Sequence, residues 1–389
     1  MPLENLLFLL LPIAAFSGWL VGIRRERSKA ASKAGYLSLS QGYFKGLNYL
    51  LNEQSDKALE VFVQMSEVDS ETVDLHFALA SLFARRGEVE RAIRIHQNLI
   101  ARPVLTQRDR NRALYELAGD YMRAGLLDRA ESLYSELVDD AEYGQLSRRQ
   151  LLDVYQQEKE WDKAIAIARR LDTIRGQPLS PTLAHFYCEL ADAALARGDA
   201  TLAMQNVKRA FSEDKNSVRA TLTEARFYLL SKNSRAAIKS LKRVEKQNSD
   251  YLPLILDPMQ QAYVMEGNSA GFVDYLRELS NGASISTVLT LSNLLQQQEG
   301  DDAALKLLSQ IMQQRPSLRL LQQMLLLYTR RHAESRELKL ALDTLEKYMH
   351  DKPFYHCTNC GFQSRNMQWQ CPSCKQWDRV RPIHGIDGD

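Results

Sequence analysis

The sequence predicts an all-α superhelical solenoid with an N-terminal transmembrane helix and a small metal ribbon at its C-terminal end. Three observations carry this. A helix-ending residue followed five positions later by a small residue recurs with a period near 34 through most of the 389-residue chain. An uncharged, mostly apolar run of 18 residues, Leu6 to Ile23, precedes a basic cluster. Two Cys-x-x-Cys pairs, Cys357/Cys360 and Cys371/Cys374, flank ten residues near the end. Net charge is only +2, so no global basic field argues for nucleic acid, and charged residues at 25% are ordinary for a water-exposed fold. Sparse glycine and proline favour helix.

As a helix, Leu6 to Ile23 spans about 27 Å, close to the hydrocarbon thickness of a bilayer. Arg24-Arg25-Glu26-Arg27, Lys29 and Lys33 follow, which places the rest of the chain on the cytoplasmic side. A cleaved signal would carry its basic residues first and end in a small-residue cleavage site; this run does neither. Residues 1–23 are therefore expected as an uncleaved single-span anchor with a periplasmic N-terminus, and 24–35 as a basic juxtamembrane linker. Trp19 lies near the inner interface. Ala14, Gly18 and Gly22 fall four apart on one helix face, where small residues let another membrane helix approach, either a partner or a second copy. The bland alternative is that glycine is common in membrane helices.

The periodic part covers residues 36–353, about nine repeats. Turn and small residues pair as Glu53/Ala58, Gly87/Ala92, Gly125/Ala130, Lys159/Ala164, Gly198/Ala203 and Lys232/Ala237. The series decays through Gly267/Phe272, Gly300/Leu305 and Arg336/Ala341. Seven residues before the turn stand Gly46, Ala80, Ala118, Leu152, Ala191 and Ala225, and four before it often an aromatic: Tyr49, Phe83, Tyr121, Tyr155, Tyr228 or Tyr263. The small residues let paired helices pack closely, and the aromatics fill the wedge between repeats. One repeat cannot bury its own apolar face, so stacking builds the core. This pattern resembles the tetratricopeptide repeat, a helix–turn–helix unit of about 34 residues. Longer spacings mark insertions at Asp139–Gln145 and Arg175–Pro181; the second, with Gly176, Pro178 and Pro181, is a candidate bend between sub-arrays.

A solenoid of this kind offers a concave face lined by the first helix of each repeat. Positions one after, three before and six before the small residue select Arg112, Tyr115, Arg149, Asp153, His185, Asp192, Arg219 and Arg226 as a groove for a peptide or protein. The competing reading of each is a solvated helix face.

Two Cys-x-x-Cys turns aim four thiolates at one point, a tetrahedral site for one zinc or iron ion, and so short a segment needs that ion to fold. Two thioredoxin-like redox pairs are the alternative, but neither opens a helix in a βαβ unit. His356 and His384 read as non-ligands, and Cys188, the one cysteine left over, as a buried thiol. The thiol usage fits a reducing compartment. The loops Cys357-Thr-Asn-Cys360-Gly361-Phe362 and Cys371-Pro-Ser-Cys374 resemble those of rubredoxin. Lys375 stands where rubredoxin usually has glycine, and Arg365, Lys375, Arg379 and Arg381 replace its acidic surface, which argues against electron transfer. The ribbon is expected over 354–380 with a tail at 381–389, and Trp369 and Trp377 are expected to cap the metal or pack on the last repeat. No catalytic constellation appears, and nucleic acid is a weak reading because no aromatic–basic stripe extends into the repeats.

Anchor, repeats and ribbon together, with the stretch Gln41-Gly-Tyr-Phe-Lys-Gly-Leu-Asn-Tyr-Leu-Leu-Asn-Glu-Gln54, resemble the lipopolysaccharide assembly protein B family of Gram-negative bacteria over the whole chain. The resemblance implies a non-enzymatic inner-membrane adaptor that restrains lipopolysaccharide synthesis. It implies three partners. A membrane-anchored ATP-dependent metalloprotease degrades the UDP-3-O-acyl-N-acetylglucosamine deacetylase, the enzyme of the committed step in lipid A synthesis, with the adaptor's help. A further inner-membrane protein relieves the adaptor when lipopolysaccharide accumulates. The competing classes are a scaffold that gathers synthesis and export proteins, and an iron redox protein.

Overall fold

The computed structural model describes residues 44–46, 48, 49, 52, 54, 57, 58, 60, 61, 70–103, 105–171, 178–280 and 284–389. The expected membrane span with Ala14, Gly18, Trp19 and Gly22, the basic linker, and Gly176 of the expected bend lie outside these residues. Among the described residues no helix is long and apolar enough to cross a membrane. The chain divides into two compact units, Met1–Glu158 and Lys159–Asp389.

In the first unit the well-described helices are α1 (Ser70–Arg85), α2 (Val89–Ile100), α3 (Gln107–Arg123), α4 (Leu127–Glu136) and α5 (Gly144–Glu158). In the second they are α6 (Trp161–Ala168), α7 (Leu179–Ala196), α8 (Ala200–Glu213), α9 (Val218–Leu230), α10 (Ser234–Leu241) and the short α11 (Val244–Gln247). A 3-10 turn, Ser249–Tyr251, leads into α12 (Leu252–Met265), α13 (Ser269–Ser280), α14 (Ile285–Glu299), α15 (Asp301–Gln314), α16 (Leu318–Arg331) and α17 (Arg336–His350).

The periodic turn residues end the first helix of each hairpin as the spacing requires. Gly87, Gly125, Gly198 and Gly267 have φ of +72° to +81°, and Lys159 and Lys232 reach +59° and +58° in the same left-handed region. The residue after the turn then bonds back to the position four before it. Glu88 N–H donates to Phe83 O, Leu126 to Tyr121, Asp199 to Ala194, Asn233 to Tyr228 and Asn268 to Tyr263. These are Schellman bonds. Four of the five accepting carbonyls belong to aromatic residues, and Ala194 takes the same place before the turn at Gly198.

The small residues sit in the core: Ala92, Ala130, Ala164, Ala203 and Ala237 are fully buried, as are Ala80, Ala118 and Ala191. Side-chain caps start the second unit's helices, with Asp199, Ser217, Asn233, Ser284 and Ser335 each accepting a first-turn N–H. The register slips by one at the last repeat. Ala341 is exposed and Leu342 is buried, because Ser335 caps α17 and moves the turn ahead of Arg336.

The final segment forms a three-stranded antiparallel sheet in the order β2-β1-β3, with β1 Tyr355–Cys357, β2 Gln363–Ser364 and β3 Val380–Pro382. Tyr355 pairs with Ser364 and Pro382, and Cys357 with Val380. The ribbon thus takes in two residues beyond the expected limit at 380. Its small core is Cys357, Cys371 and Val380, with Tyr355, Phe362 and Met367 against them.

Candidate metal centre and its seat on the repeats

Each cysteine pair sits on a knuckle closed by its own backbone. Gly361 N–H donates to Cys357 O and Cys357 N–H to Phe362 O. The second knuckle repeats the pattern, with Lys375 N–H to Cys371 O and Cys371 N–H to Gln376 O. Gly361 has φ +75°, and Lys375 takes φ +58° although it is not glycine. The departure from the rubredoxin pattern therefore changes the residue and keeps the turn. Backbone N–H groups also reach sulfur, from Phe362 to Cys360 and from Ser373 and Cys374 to Cys371.

The four Sγ atoms lie within 4.8 Å of one another. Cys357 and Cys374 are 3.8 Å apart and Cys360 and Cys371 3.6 Å. A tetrahedral ion with metal–sulfur bonds of about 2.3 Å needs sulfurs about 3.8 Å apart, so the donor set fits one ion with little rearrangement. The Phe362 N–H pulls the Cys360 thiol down to about 6, while burial pushes Cys371 up to about 12. A bound cation would draw all four to thiolate and release their protons. Neither His356 nor His384 belongs to the converging group. Cys188 is fully buried, and burial pushes its thiol up to about 12, which makes it a core residue.

The metal loops present two indoles. Trp369 precedes Cys371 by two residues and Trp377 follows Cys374 by three. They are held side by side by the Gln370–Trp377 bridge and by the Asp378 N–H bond to Trp369 O, 2.8 Å. Both seat on helices in the middle of the array, not on its last repeat. Trp377 stacks on His185 with centroids 5.0 Å apart, and meets Phe186 and Trp161 edge-on at 5.8 and 6.1 Å. Trp369 lies 5.4 Å from the ring of Tyr251 and 5.9 Å from that of His185. The Arg219 guanidinium lies 6.0 Å from Trp369 and 5.7 Å from Trp377. On its far side it pairs with Glu189 at 2.8 Å and Asp192 at 3.2 Å. The Tyr251 hydroxyl donates to Asp378 at 2.6 Å, and Arg381 grips the same carboxylate while lying 4.6 Å from the Tyr251 ring.

The eight expected groove residues part company here. In the first unit Arg112 pairs with Asp74 at 2.8 Å and lies 4.0 Å from the Phe77 ring. Tyr115 is half-buried between Tyr134 and Tyr143, and burial raises its phenol. Arg149 is exposed and Asp153 half-buried. In the second unit His185, Asp192, Arg219 and Arg226 do come together, Arg226 reaching Asp192 at 3.5 Å. His185 and Arg219, however, are 4% and 6% exposed, and with Tyr251, Trp369 and Asp378 they line a small pocket of about 180 Å³ at the ribbon's edge rather than a groove along the repeats. The chain's own ribbon covers them. Burial, with Arg219 and Arg381 nearby, drives the His185 pKa well below its ordinary value, so its ring is neutral.

Trp161, Tyr251 and Asp378 belong to this contact and escaped the sequence reading. A signal was available: the chain has only four tryptophans, and three of them meet at this seat.

The family model described as a rubredoxin metal binding domain matches residues 355–382. Lipopolysaccharide assembly protein B of Escherichia coli K12 is 36% identical over 388 residues, covering 99% of this chain and 99% of its own. The protein of the same name from Haemophilus influenzae is 36% identical over 394 residues, covering 97% of this chain and 98% of its own. A tetratricopeptide repeat protein from Parabacteroides merdae is similar at 14% identity, over 62% of this chain and 92% of that one, with a TM-score of 0.32, too loose to align repeat on repeat.

Proposed function

Because the chain belongs to the lipopolysaccharide assembly protein B family, we propose that it is a non-enzymatic adaptor that restrains lipopolysaccharide synthesis from the bacterial inner membrane. The observation that carries the reading is the 36% identity to curated relatives named for lipopolysaccharide assembly, which runs over 99% of both chains. In this reading the adaptor promotes degradation of the UDP-3-O-acyl-N-acetylglucosamine deacetylase by a membrane-anchored ATP-dependent metalloprotease.

Physical logic supports a tethered adaptor. Holding adaptor and protease in one bilayer raises their effective concentration, so modest contacts suffice. The Ala14, Gly18 and Gly22 face is the proposed contact for the protease, for a lipopolysaccharide-sensing membrane protein, or for a second copy. The metal serves structure in this reading. Zinc and iron both accept four thiolates, and either would fix the loops that present Trp369 and Trp377.

The test is the half-life of the deacetylase in cells with the intact protein, with none, and with Cys371→Ser plus Cys374→Ser at matched abundance. The adaptor reading expects a longer half-life in both altered strains. A half-life unchanged by complete removal overturns it in favour of a scaffold for synthesis and export proteins.

A further inference from the structure

The ribbon leaves part of its seat unfilled. The pocket of about 180 Å³ at its edge lies between the repeats and the metal loops. Asp214 and Asn216 come from the α8–α9 turn, His185 and Arg219 from α7 and α9, and Trp369 and Asp378 from the ribbon. The space is smaller than the usual site for a drug-sized ligand, which sets its occupant near the size of a single sugar ring.

Two lining side chains carry polar atoms with nothing to bond. Arg219 commits Nη2 to Glu189 and Asp192, while Nη1 is buried without a partner among the described residues. His185 Nδ1 is buried and equally unpartnered. Both side chains are more than nine-tenths buried. Such atoms are costly to leave unsatisfied, and at the wall of a pocket they mark where a ligand's polar groups belong. The charges narrow the ligand further. Asp378 accepts from Tyr251 and Arg381. Asp214 accepts the Asn216 N–H at 2.9 Å and forms no ion pair among the described residues, so it keeps lone pairs for a donor. An anion would meet Asp214 and Asp378, and a cation would meet Arg219. A neutral molecule with both donors and acceptors suits both ends, and a hydroxyl carries both on one atom.

We propose that this pocket binds a neutral, hydroxyl-rich molecule of the size of one sugar ring. Arg219 Nη1 donates to one hydroxyl, Asp214 accepts from another, and His185 meets a third through Nδ1. Trp369 offers its indole to the C–H face of the ring, since an aromatic side chain packs apolar surface beside polar contacts. The ligand bridges the two folds, because Arg219 and Asp214 belong to the repeats and Trp369 to the metal loops. This goes beyond the adaptor reading and does not depend on it.

The experiment uses the metal-loaded full chain in a detergent without a sugar headgroup. Three probes share one ring: methyl glucoside is neutral, glucuronate anionic and glucosamine cationic. Saturation-transfer NMR and tryptophan emission should show methyl glucoside binding about tenfold more tightly than either charged ring, because each of those meets a like charge at the wall. Asn216→Phe, at the exposed rim, should close the mouth and remove binding without moving the melting temperature. Asp214→Asn keeps an acceptor for the Asn216 N–H and should weaken methyl glucoside about threefold to tenfold while easing the penalty on glucuronate. Lys246→Ala, exposed and outside the pocket, should change nothing. No binding of methyl glucoside at about 50 mM, equal binding of the three rings, or binding that survives Asn216→Phe would each overturn the site. Failure of the adaptor reading looks different: the neutral ring binds as expected, and removing the protein leaves the deacetylase half-life unchanged.

Discussion

The imidazole of His185 stacks on the indole of Trp377, with planes 23° apart and centroids 5.0 Å apart. One ring belongs to a repeat helix and the other to the metal ribbon, so this pair joins the two folds of the second unit. Their chemistry follows from the contact. The imidazole is neutral and dry, and a proton added to it would face Arg219 and Arg381.

The His185 contribution to stability should therefore fall in mild acid, against the opposite trend of Asp378, whose carboxyl burial raises to about 6. A base whose folded pKa is depressed contributes stability that is fully present above the ordinary 6.5 and lost as pH drops below it. The slope is about 1.4 kcal/mol per pH unit for one group. Thermal melts of the intact protein and of His185→Phe across pH 5 to 8 should converge toward acid, with the variant lacking this component. Parallel curves would show that the imidazole does not titrate on unfolding.

Arg219 ties Glu189 and Asp192 to the underside of the two indoles. Arg219→Met keeps the apolar stem and leaves Glu189 without this cation and Asp192 with Arg226 alone. The expected loss is about 1–2 kcal/mol, because the two carboxylates left behind are partly exposed and water screens them. Chemical denaturation followed by tryptophan emission would measure it, and an unchanged midpoint would count against the role assigned to the pair.

Removing the metal should release the ribbon before it melts the repeats. Structural zinc contributes on the order of 10 kcal/mol to folding of small ribbons. A chelator at neutral pH should abolish the near-ultraviolet dichroism of Trp369 and Trp377 and leave most of the helical signal. Reloading with either zinc or iron should restore it. Simultaneous loss of both signals would mean that the repeats do not stand without the ribbon.

Lys232 holds a left-handed turn at φ +58°, where glycine serves at Gly198 and Gly267. A side chain in that region costs about 1–2 kcal/mol. Glycine returns part of the gain through its looser unfolded state, about 0.5–1 kcal/mol. Lys232→Gly should therefore raise stability by about 0.5–1 kcal/mol in urea denaturation, and Gly198→Ala should lower it.

Much of this architecture was legible because its causes are local. A turn needs a residue at positive φ, a close helix crossing needs alanine, and a four-thiolate site needs two knuckles; each leaves a mark at fixed spacing. Gly125, Ala130 and Cys371 could thus be placed from sequence. The seat of the ribbon leaves no such mark. His185 and Arg219 occupy concave positions, and a polar residue there reads the same whether a partner, water or the chain itself covers it. Tyr251 was missed because it lies on a 3-10 turn where the repeat period breaks. Ala341 was placed one residue out, because a serine cap rather than a left-handed turn starts the last helix.

The hydrogen bond from Tyr251 to Asp378 closes a loop of 127 residues. Stacked hairpins normally meet only their neighbours and can form one after another. Here the middle of the second unit waits for segments far along the chain, which raises its contact order and slows its last step. During synthesis the hairpins up to Glu158 can mature as they leave the ribosome, whereas His185 and Arg219 stay wet until Trp369 and Trp377 emerge. Metal supply at that moment then decides how long a half-finished surface stands open to proteases and chaperones.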